Sequence, residues 1–130
     1  MLQNIRKLLE RNALILAIAA TLFLGVMSLV HMPKISLEFG IKSGDKYLHF
    51  TAYMVLSFLW YFALRERIQN RLFKFFVPLS LILYGIVLEG LQGELTTYRT
   101  PDLSDAMANT GGVIAGLFIF NRFFKWYRTI

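Results

Sequence analysis

Four apolar stretches, each about as long as a membrane crossing, constrain the fold of this chain more than any other feature. They cover residues 13–30, 47–64, 72–91 and 106 to about 124, and they carry few or no charges. A helix needs about 20 such residues to cross the hydrocarbon core of a bilayer. With 56% hydrophobic residues among 130 and a mean hydropathy of +0.52, an ordinary soluble domain is excluded. The sequence predicts a single all-α domain, an integral membrane four-helix bundle with short loops, over residues 1–130.

The N-terminal segment is basic, so the first apolar stretch has to be weighed against a cleaved signal peptide. Its 18 uncharged residues exceed a usual signal-peptide core, and no small-residue cleavage site follows. We therefore expect a retained helix. Residues 1–11 are interpreted as an amphipathic turn or two lying at the membrane interface.

The Lys and Arg residues are distributed unequally between the two sides of the predicted bundle. Four crossings place both termini on one side, which holds ten of the fourteen basic residues, whereas the other side holds six of the eight acids. Because basic residues bias loops towards the cytoplasm, both termini are predicted to be cytoplasmic. The net charge of +6 is interpreted as a topology signal, and no nucleic-acid partner is expected.

Polar and ionisable residues from three apolar segments and one loop cluster near the opposite face of the membrane. They are Lys46, His49 and Tyr53 on the second segment, Glu89 and Gln92 on the third, Asp105 and Asn109 on the fourth, and Arg99 and Asp102 in the connecting loop. Spacings of three and four residues place each set on one helix face. Ionisable groups at membrane depth are costly and usually mark sites. The pattern predicts one outward-facing polar pocket.

Three kinds of chemistry fit this pocket, and the sequence leaves all three open. Arg99, Lys46 and His49 suit the binding of a phosphate or carboxylate headgroup, since a guanidinium pairs bidentately with such anions. Glu89 and His49 suit acid and base catalysis, because burial raises the pKa of a carboxyl towards neutrality. His49, Glu89 and one of the two aspartates form a weak candidate set for a divalent metal. We predict no metal and no cofactor, and whether a reaction occurs is left open.

A purely structural interpretation competes with each of these. Asn109 and Gln92 suit hydrogen bonds between helices, worth about 0.6 kcal/mol each. Asp105 is also a candidate N-cap of the fourth helix. Gly112 and Gly116 form a GxxxG pair, which allows close helix packing. The absence of cysteine excludes disulfides, thiolate metal sites and a Cys nucleophile.

These same residues resemble the signature of the VanZ-like family of small membrane proteins, whose namesake is associated with teicoplanin resistance in Gram-positive bacteria. The basic residue, His-Phe and Tyr of that signature resemble DKYLHFTAY at residues 45–53. Its E-x-x-Q motif resembles EGLQ at residues 89–92, and its Arg, Asp, Asp, Asn, Gly series resembles RTPDLSDAMANTGGVIAG at residues 99–116. The motifs occur in the family's order across residues 45–116.

The resemblance implies a bacterial cytoplasmic-membrane protein linked to the cell envelope or to glycopeptides, and it implies no settled biochemical activity. The leading hypothesis is that the pocket binds or processes an anionic envelope lipid or a lipid-linked cell-wall precursor. The rival is a noncatalytic scaffold or accessory subunit that packs its GxxxG and Phe-rich fourth helix against another membrane protein. A homo-oligomer is compatible with either.

Overall fold

The computed structural model describes residues 1–29, 44–95 and 103–129, and this part of the chain is all-α. Its four α-helices are α1 (Leu2–Leu29), α2 (Gly44–Ala63), α3 (Arg71–Leu95) and α4 (Leu103–Tyr127), with a 3-10 turn, Arg67–Gln69, between α2 and α3. For residues 44–46 and 92–95, the description covers the backbone alone. The predicted all-α four-helix bundle is confirmed.

Helix α1 differs most from its predicted extent. The sequence predicts a helix from residue 13, and this start is wrong, because α1 is continuous from Leu2 to Leu29 and includes the predicted amphipathic turns. No Pro occurs in this helix and its first Gly is Gly25, so nothing in its first half breaks the backbone hydrogen bonds. The Nε of Arg6 also donates a 3.0 Å hydrogen bond to Glu10, four residues later, which supports the first turns.

Three of the helices are long and apolar enough to cross a membrane, judged by length and composition. They are α1, residues Arg71–Leu91 of α3, and α4. Large apolar side chains cover their outer surfaces, and well-exposed examples are Ile15, Leu22, Phe23, Phe75, Phe76, Leu79 and Phe118. Soluble monomers rarely expose apolar surface on this scale, whereas hydrocarbon chains are a good solvent for it.

The most extensive contact in the bundle joins α2 and α4, which run parallel to each other. His49 faces Asp105, and the Ser57 hydroxyl donates a 3.0 Å hydrogen bond to the carbonyl oxygen of Val113. In each pair the two residues are 56 positions apart in the sequence, so the register between α2 and α4 is constant over at least two helical turns. Parallel neighbours require a full return crossing between them, and α3 provides it.

Aromatic rings fill the contact between α2 and α4 towards the end where the two termini lie. Tyr61 stacks on Phe120 with 5.7 Å between ring centroids, and Phe62 meets Tyr127 edge to face at 5.3 Å. Tyr61 is fully buried and Phe120 nearly so. This end of the bundle is therefore a packed core, worth several kcal/mol of burial and ring contacts.

Thr21 of α1 makes polar contacts with both α2 and α3. Its hydroxyl accepts a 2.8 Å hydrogen bond from the indole Nε1 of Trp60, and its carbonyl oxygen accepts a 2.5 Å hydrogen bond from the Tyr84 hydroxyl. The Thr21 hydroxyl itself donates to Ala17. Polar bonds of this kind join helices in the absence of a hydrophobic driving force between them.

Glu10 connects the first helix to the end of the last, before the apolar part of α1 begins. Its Oε1 accepts hydrogen bonds from the Tyr127 hydroxyl at 2.6 Å and from Arg6 at 3.0 Å, and its Oε2 lies 3.5 Å from a guanidinium nitrogen of Arg65. The hydrogen bond from Tyr127, followed by that from Arg6, lowers the pKa of the Glu10 carboxyl below its ordinary value.

Candidate functional site

The candidate site lies at the end of the bundle opposite the termini, where polar side chains occupy successive turns of α2 and α4. His49, Tyr53 and Ser57 are four residues apart on α2, so they share one face. That face packs against α4, and Asp105 and Asn109 are the first residues of α4 that face it. His49 lies opposite Asp105, and Ser57 bonds to Val113, each pair being 56 positions apart in the sequence. The same separation places Tyr53 level with Asn109, between these two pairs.

His49 and Asp105 form the outer level of this site. The Nε2 of His49 lies 3.8 Å from the Oδ2 of Asp105, and the two side chains are 15% and 7% exposed. The prediction of Asp105 as the N-cap of α4 is wrong, because the helix begins at Leu103 and Asp105 lies inside its first turn. A carboxylate next to an imidazole helps to orient the ring. The distance exceeds that of a hydrogen bond, although catalytic pairs often tighten when a ligand binds.

Asn109 forms the middle level together with residues of α2 and α3. It is 3% exposed, and its Oδ1 has no hydrogen-bond partner among the described residues. Gly85 of α3 approaches it so closely that a Cβ on Gly85 would lie 3.2 Å from the Asn109 Nδ2 and 3.3 Å from the Tyr53 ring. The structure therefore brings α2, α3 and α4 together around a buried amide with one unused acceptor.

Glu89 adds a second carboxyl group to the outer level. It is 6% exposed and follows Gly85 by four residues on α3, which is one helical turn of about 5.4 Å. Because α3 runs opposite to α4, this turn brings Glu89 towards the level of His49 and Asp105. Glu89 also lies near enough to Tyr53 for the two groups to interact electrostatically. A buried carboxyl with this environment is a candidate acid or base.

Close contact between α2 and α4 forms the floor of the site. Gly112 and Gly116 are both buried. A Cβ on Gly116 would lie 2.6 Å from the carbonyl oxygen of Met54, and a Cβ on Gly112 would overlap the carbonyl oxygen of Phe50. The GxxxG surface is therefore used inside the bundle against α2 and is not presented to an outside partner.

Four predicted site residues are not described at the level of side chains. Lys46 and Gln92 belong to α2 and α3, where the description at these positions is limited to the backbone, and Arg99 and Asp102 lie outside the described residues. The site as described thus contains His49, Tyr53, Glu89, Asp105 and Asn109. Within the described ranges, no group of three or more His, Cys, Asp or Glu residues is arranged to hold a metal ion.

Two site residues were missed by the sequence analysis, and both carried a usable signal. Ser57 continues the four-residue spacing of His49 and Tyr53, but a serine in an apolar helix is easily regarded as neutral. Gly85 precedes Glu89 by four residues and so lies on the same face of α3. A small residue one turn below a buried acid indicates a close approach by a neighbouring helix.

The fold and the site define an all-α helical bundle with membrane-spanning potential and a cluster of buried polar side chains near one end. Comparisons with protein-family models, curated proteins and solved structures found no match to this chain. The function is therefore argued from the site itself.

Proposed function

We propose that this chain is a VanZ-like protein of the bacterial cytoplasmic membrane whose polar pocket faces outward and binds or processes an anionic envelope lipid or lipid-linked cell-wall precursor. The observation that carries the proposal is the buried Oδ1 of Asn109, which lies between three helices and has no hydrogen-bond partner among the described residues. An unused buried acceptor costs about 1–3 kcal/mol. A ligand that donates a hydroxyl or amide hydrogen there would recover this energy.

The surrounding groups determine which ligand chemistry suits the pocket. His49 offers a ring nitrogen to a ligand, and the neighbouring carboxylate of Asp105 orients the ring. Two carboxyl groups, Glu89 and Asp105, are buried at the same end, so an anion needs cations beside them. The sequence assigns this role to Lys46 and Arg99. The proposed ligand thus combines an anionic headgroup with hydrogen-bond donors, as lipid-linked sugars and hydroxylated lipids do.

A reaction at this site would use His49 and Glu89 as the proton-transferring groups. Asp105 would act as a positioning residue, since it contacts the imidazole and orients it. Glu89, buried on α3, would be the second group to exchange a proton with the ligand. Binding without chemistry needs the same residues for recognition, so the first experiment concerns binding.

The test measures lipid retention by the purified protein in native mass spectrometry. The probes are lipid-linked disaccharide diphosphate, phosphatidylglycerol and phosphatidylcholine, each offered separately to the wild type and to Asn109→Leu and Glu89→Gln. The control is Thr110→Ala, because the Thr110 hydroxyl bonds to the carbonyl oxygen of Ala106 in its own helix. The proposal expects retention of the sugar-linked anion to be weakened about tenfold or more in both site variants and unchanged in the control, whereas retention of each phospholipid is the same in all variants. Equal retention of all three probes by all variants would contradict it.

One specific observation favours the alternative that the protein is a noncatalytic scaffold. A shallow apolar groove on α4 is formed by Phe118, Ile119, Phe123 and Trp126, with Arg122 at its side. The buried Gly112 and Gly116 are not part of that groove, so a scaffold would use the Phe-rich face alone. Cross-linking from Phe118 that recovers one stoichiometric membrane partner or a second copy, together with absent lipid selectivity, would favour this alternative.

A further inference from the structure

The end of the bundle that holds the termini contains a basic cleft between α3, α4 and the 3-10 turn. The cleft has a volume of about 350 Å³ and is lined by Gln69, Lys74, Asn121, Phe124, Lys125 and Arg128, among others. Three of these residues are cations, and none of the described residues that line the cleft is acidic. This cleft lies at the opposite end of the helices from the pocket around Asn109.

The cations of this cleft come from different elements and converge on one space. Lys74 lies in the first turn of α3, Lys125 lies in the last turn of α4, and Arg128 follows that helix. The guanidinium of Arg128 lies over the Phe124 ring, with its carbon 5.4 Å from the ring centroid, which restricts the conformations of the side chain. Gln69 and Asn121 add amide groups to the same wall.

The apolar surroundings indicate what kind of anion fits the cleft. Its floor contains the buried side chains of Ile68 and Phe120. Leu72, Phe75 and Leu79, on α3 next to Lys74, are exposed and provide apolar surface running along the helix away from the cleft. A basic pocket at the end of spanning helices, bordered by apolar surface, matches a phospholipid with its phosphate in the cleft and its acyl chains beside the helix.

We propose that this cleft is a binding site for the phosphate headgroup of an anionic phospholipid. Lys74, Lys125 and Arg128 hold the phosphate oxygens through charge-assisted hydrogen bonds, and the amides of Gln69 and Asn121 bind the polar remainder of the headgroup. The site is independent of the proposed ligand pocket, because the two share no residue and lie at opposite ends of the bundle.

The test uses the full-length protein in bilayer discs of phosphatidylcholine, with and without a minor fraction of phosphatidylglycerol of the same acyl chains. The readouts are the lipid retained on extraction and the rise in Tm that the anionic lipid causes. The cleft variant is Lys74→Gln, Lys125→Gln and Arg128→Gln combined. The matched control is Lys7→Gln, Arg71→Gln and Arg122→Gln combined, which removes the same charge from the same end without altering the lining of the cleft.

We expect wild type and control to retain phosphatidylglycerol and to show a higher Tm in its presence. The cleft variant should retain at least about tenfold less of this lipid and show no rise in Tm. An equal loss in control and cleft variant would overturn the proposal in favour of general attraction to basic residues. A competition arm with inorganic phosphate separates lipid from soluble anion, and displacement of the lipid by millimolar phosphate would also overturn it. Asn109→Leu should leave these readouts unchanged, which separates failure here from failure of the proposed function.

Discussion

Two buried residues carry polar atoms without a hydrogen-bond partner among the described residues, and they lie at opposite ends of the bundle. One is the Asn109 Oδ1 in the candidate pocket, and the other is the Tyr61 hydroxyl in the aromatic core. A buried polar atom of this kind costs stability wherever it lies. Only Asn109 is surrounded by other polar groups from several helices, so a ligand is proposed for Asn109 and none for Tyr61.

Replacing Asn109 by leucine, which has a similar shape, should leave the free energy of unfolding unchanged or raise it by about 1 kcal/mol, because the unused acceptor is removed. Residues of binding sites are commonly held at such a cost to stability. The comparison is Ser57→Ala, which removes the 3.0 Å bond to Val113 and should lower stability by about 0.6 kcal/mol. Thermal unfolding in mild detergent measures both. A larger loss for Asn109→Leu than for Ser57→Ala would identify Asn109 as part of a structural network.

Removing the Tyr61 hydroxyl by Tyr61→Phe should keep or raise stability by up to about 1 kcal/mol, since the ring remains stacked on Phe120. The matched variant is Tyr84→Phe, in which the hydroxyl that bonds to Thr21 at 2.5 Å is lost. This variant should lose about 1 kcal/mol. Unfolding in detergent measures both variants. The opposite order of the two would mean that the Tyr61 hydroxyl is hydrogen-bonded in the folded protein.

At the scale of helices, much of the fold follows from the sequence, because apolar length specifies a crossing almost by itself. The helix α2 begins and ends within three residues of its predicted bounds. The sequence does not specify which helices pack against each other. The parallel pairing of α2 with α4, and the register of that pair, depend on the fit of Gly112 and Gly116 against the backbone of α2. The spacing of His49 and Tyr53 identified the polar face, but not which residue each one meets.

Gly116→Ala should separate α2 from α4 and lower the free energy of unfolding by about 1–3 kcal/mol, because its Cβ would overlap Ser57 and Met54. Gly90→Ala is the control, since a Cβ there meets nothing within 4 Å. Alanine is the better helix former, so the control should gain up to about 1 kcal/mol. Chemical unfolding followed by circular dichroism measures both. Equal effects of the two substitutions would contradict close packing at Gly116.

At the scale of the whole molecule, Glu10 joins α1 to the end of α4 and to Arg65 after α2. The sequence analysis overlooked it, because an acid flanked by basic residues near a terminus is indistinguishable from a solvated charge. Tyr127 is buried, 2% exposed, and its hydroxyl donates a hydrogen bond to Glu10. Contacts between residues 117 positions apart have no local signal, so this one could not be predicted.

Glu10→Gln should lower stability at neutral pH by about 1–2 kcal/mol, because the charge-assisted bonds from Tyr127 and Arg6 are weakened. The pKa of the Glu10 carboxyl is lower in the folded protein than its ordinary value of 4.5. Its contribution is therefore complete above that value and is lost as the pH falls from about 4.5 through the folded pKa. Tm measured against pH should show this loss in wild type and a smaller one in Glu10→Gln. Glu66→Gln, at an exposed acid of the same end, should retain the wild-type profile.

The parallel pairing of α2 and α4 has a consequence for biosynthesis. A chain emerging from the ribosome presents His49, Tyr53 and Ser57 to the lipid well before Asp105, Asn109 and Val113 exist to cover them. Until α4 has formed, α2 packs against α1 through Trp60 and Thr21, but its polar stripe has no polar partner from α4. Completion of the pocket and completion of the fold are therefore the same event, and a truncated chain cannot carry a partly working site.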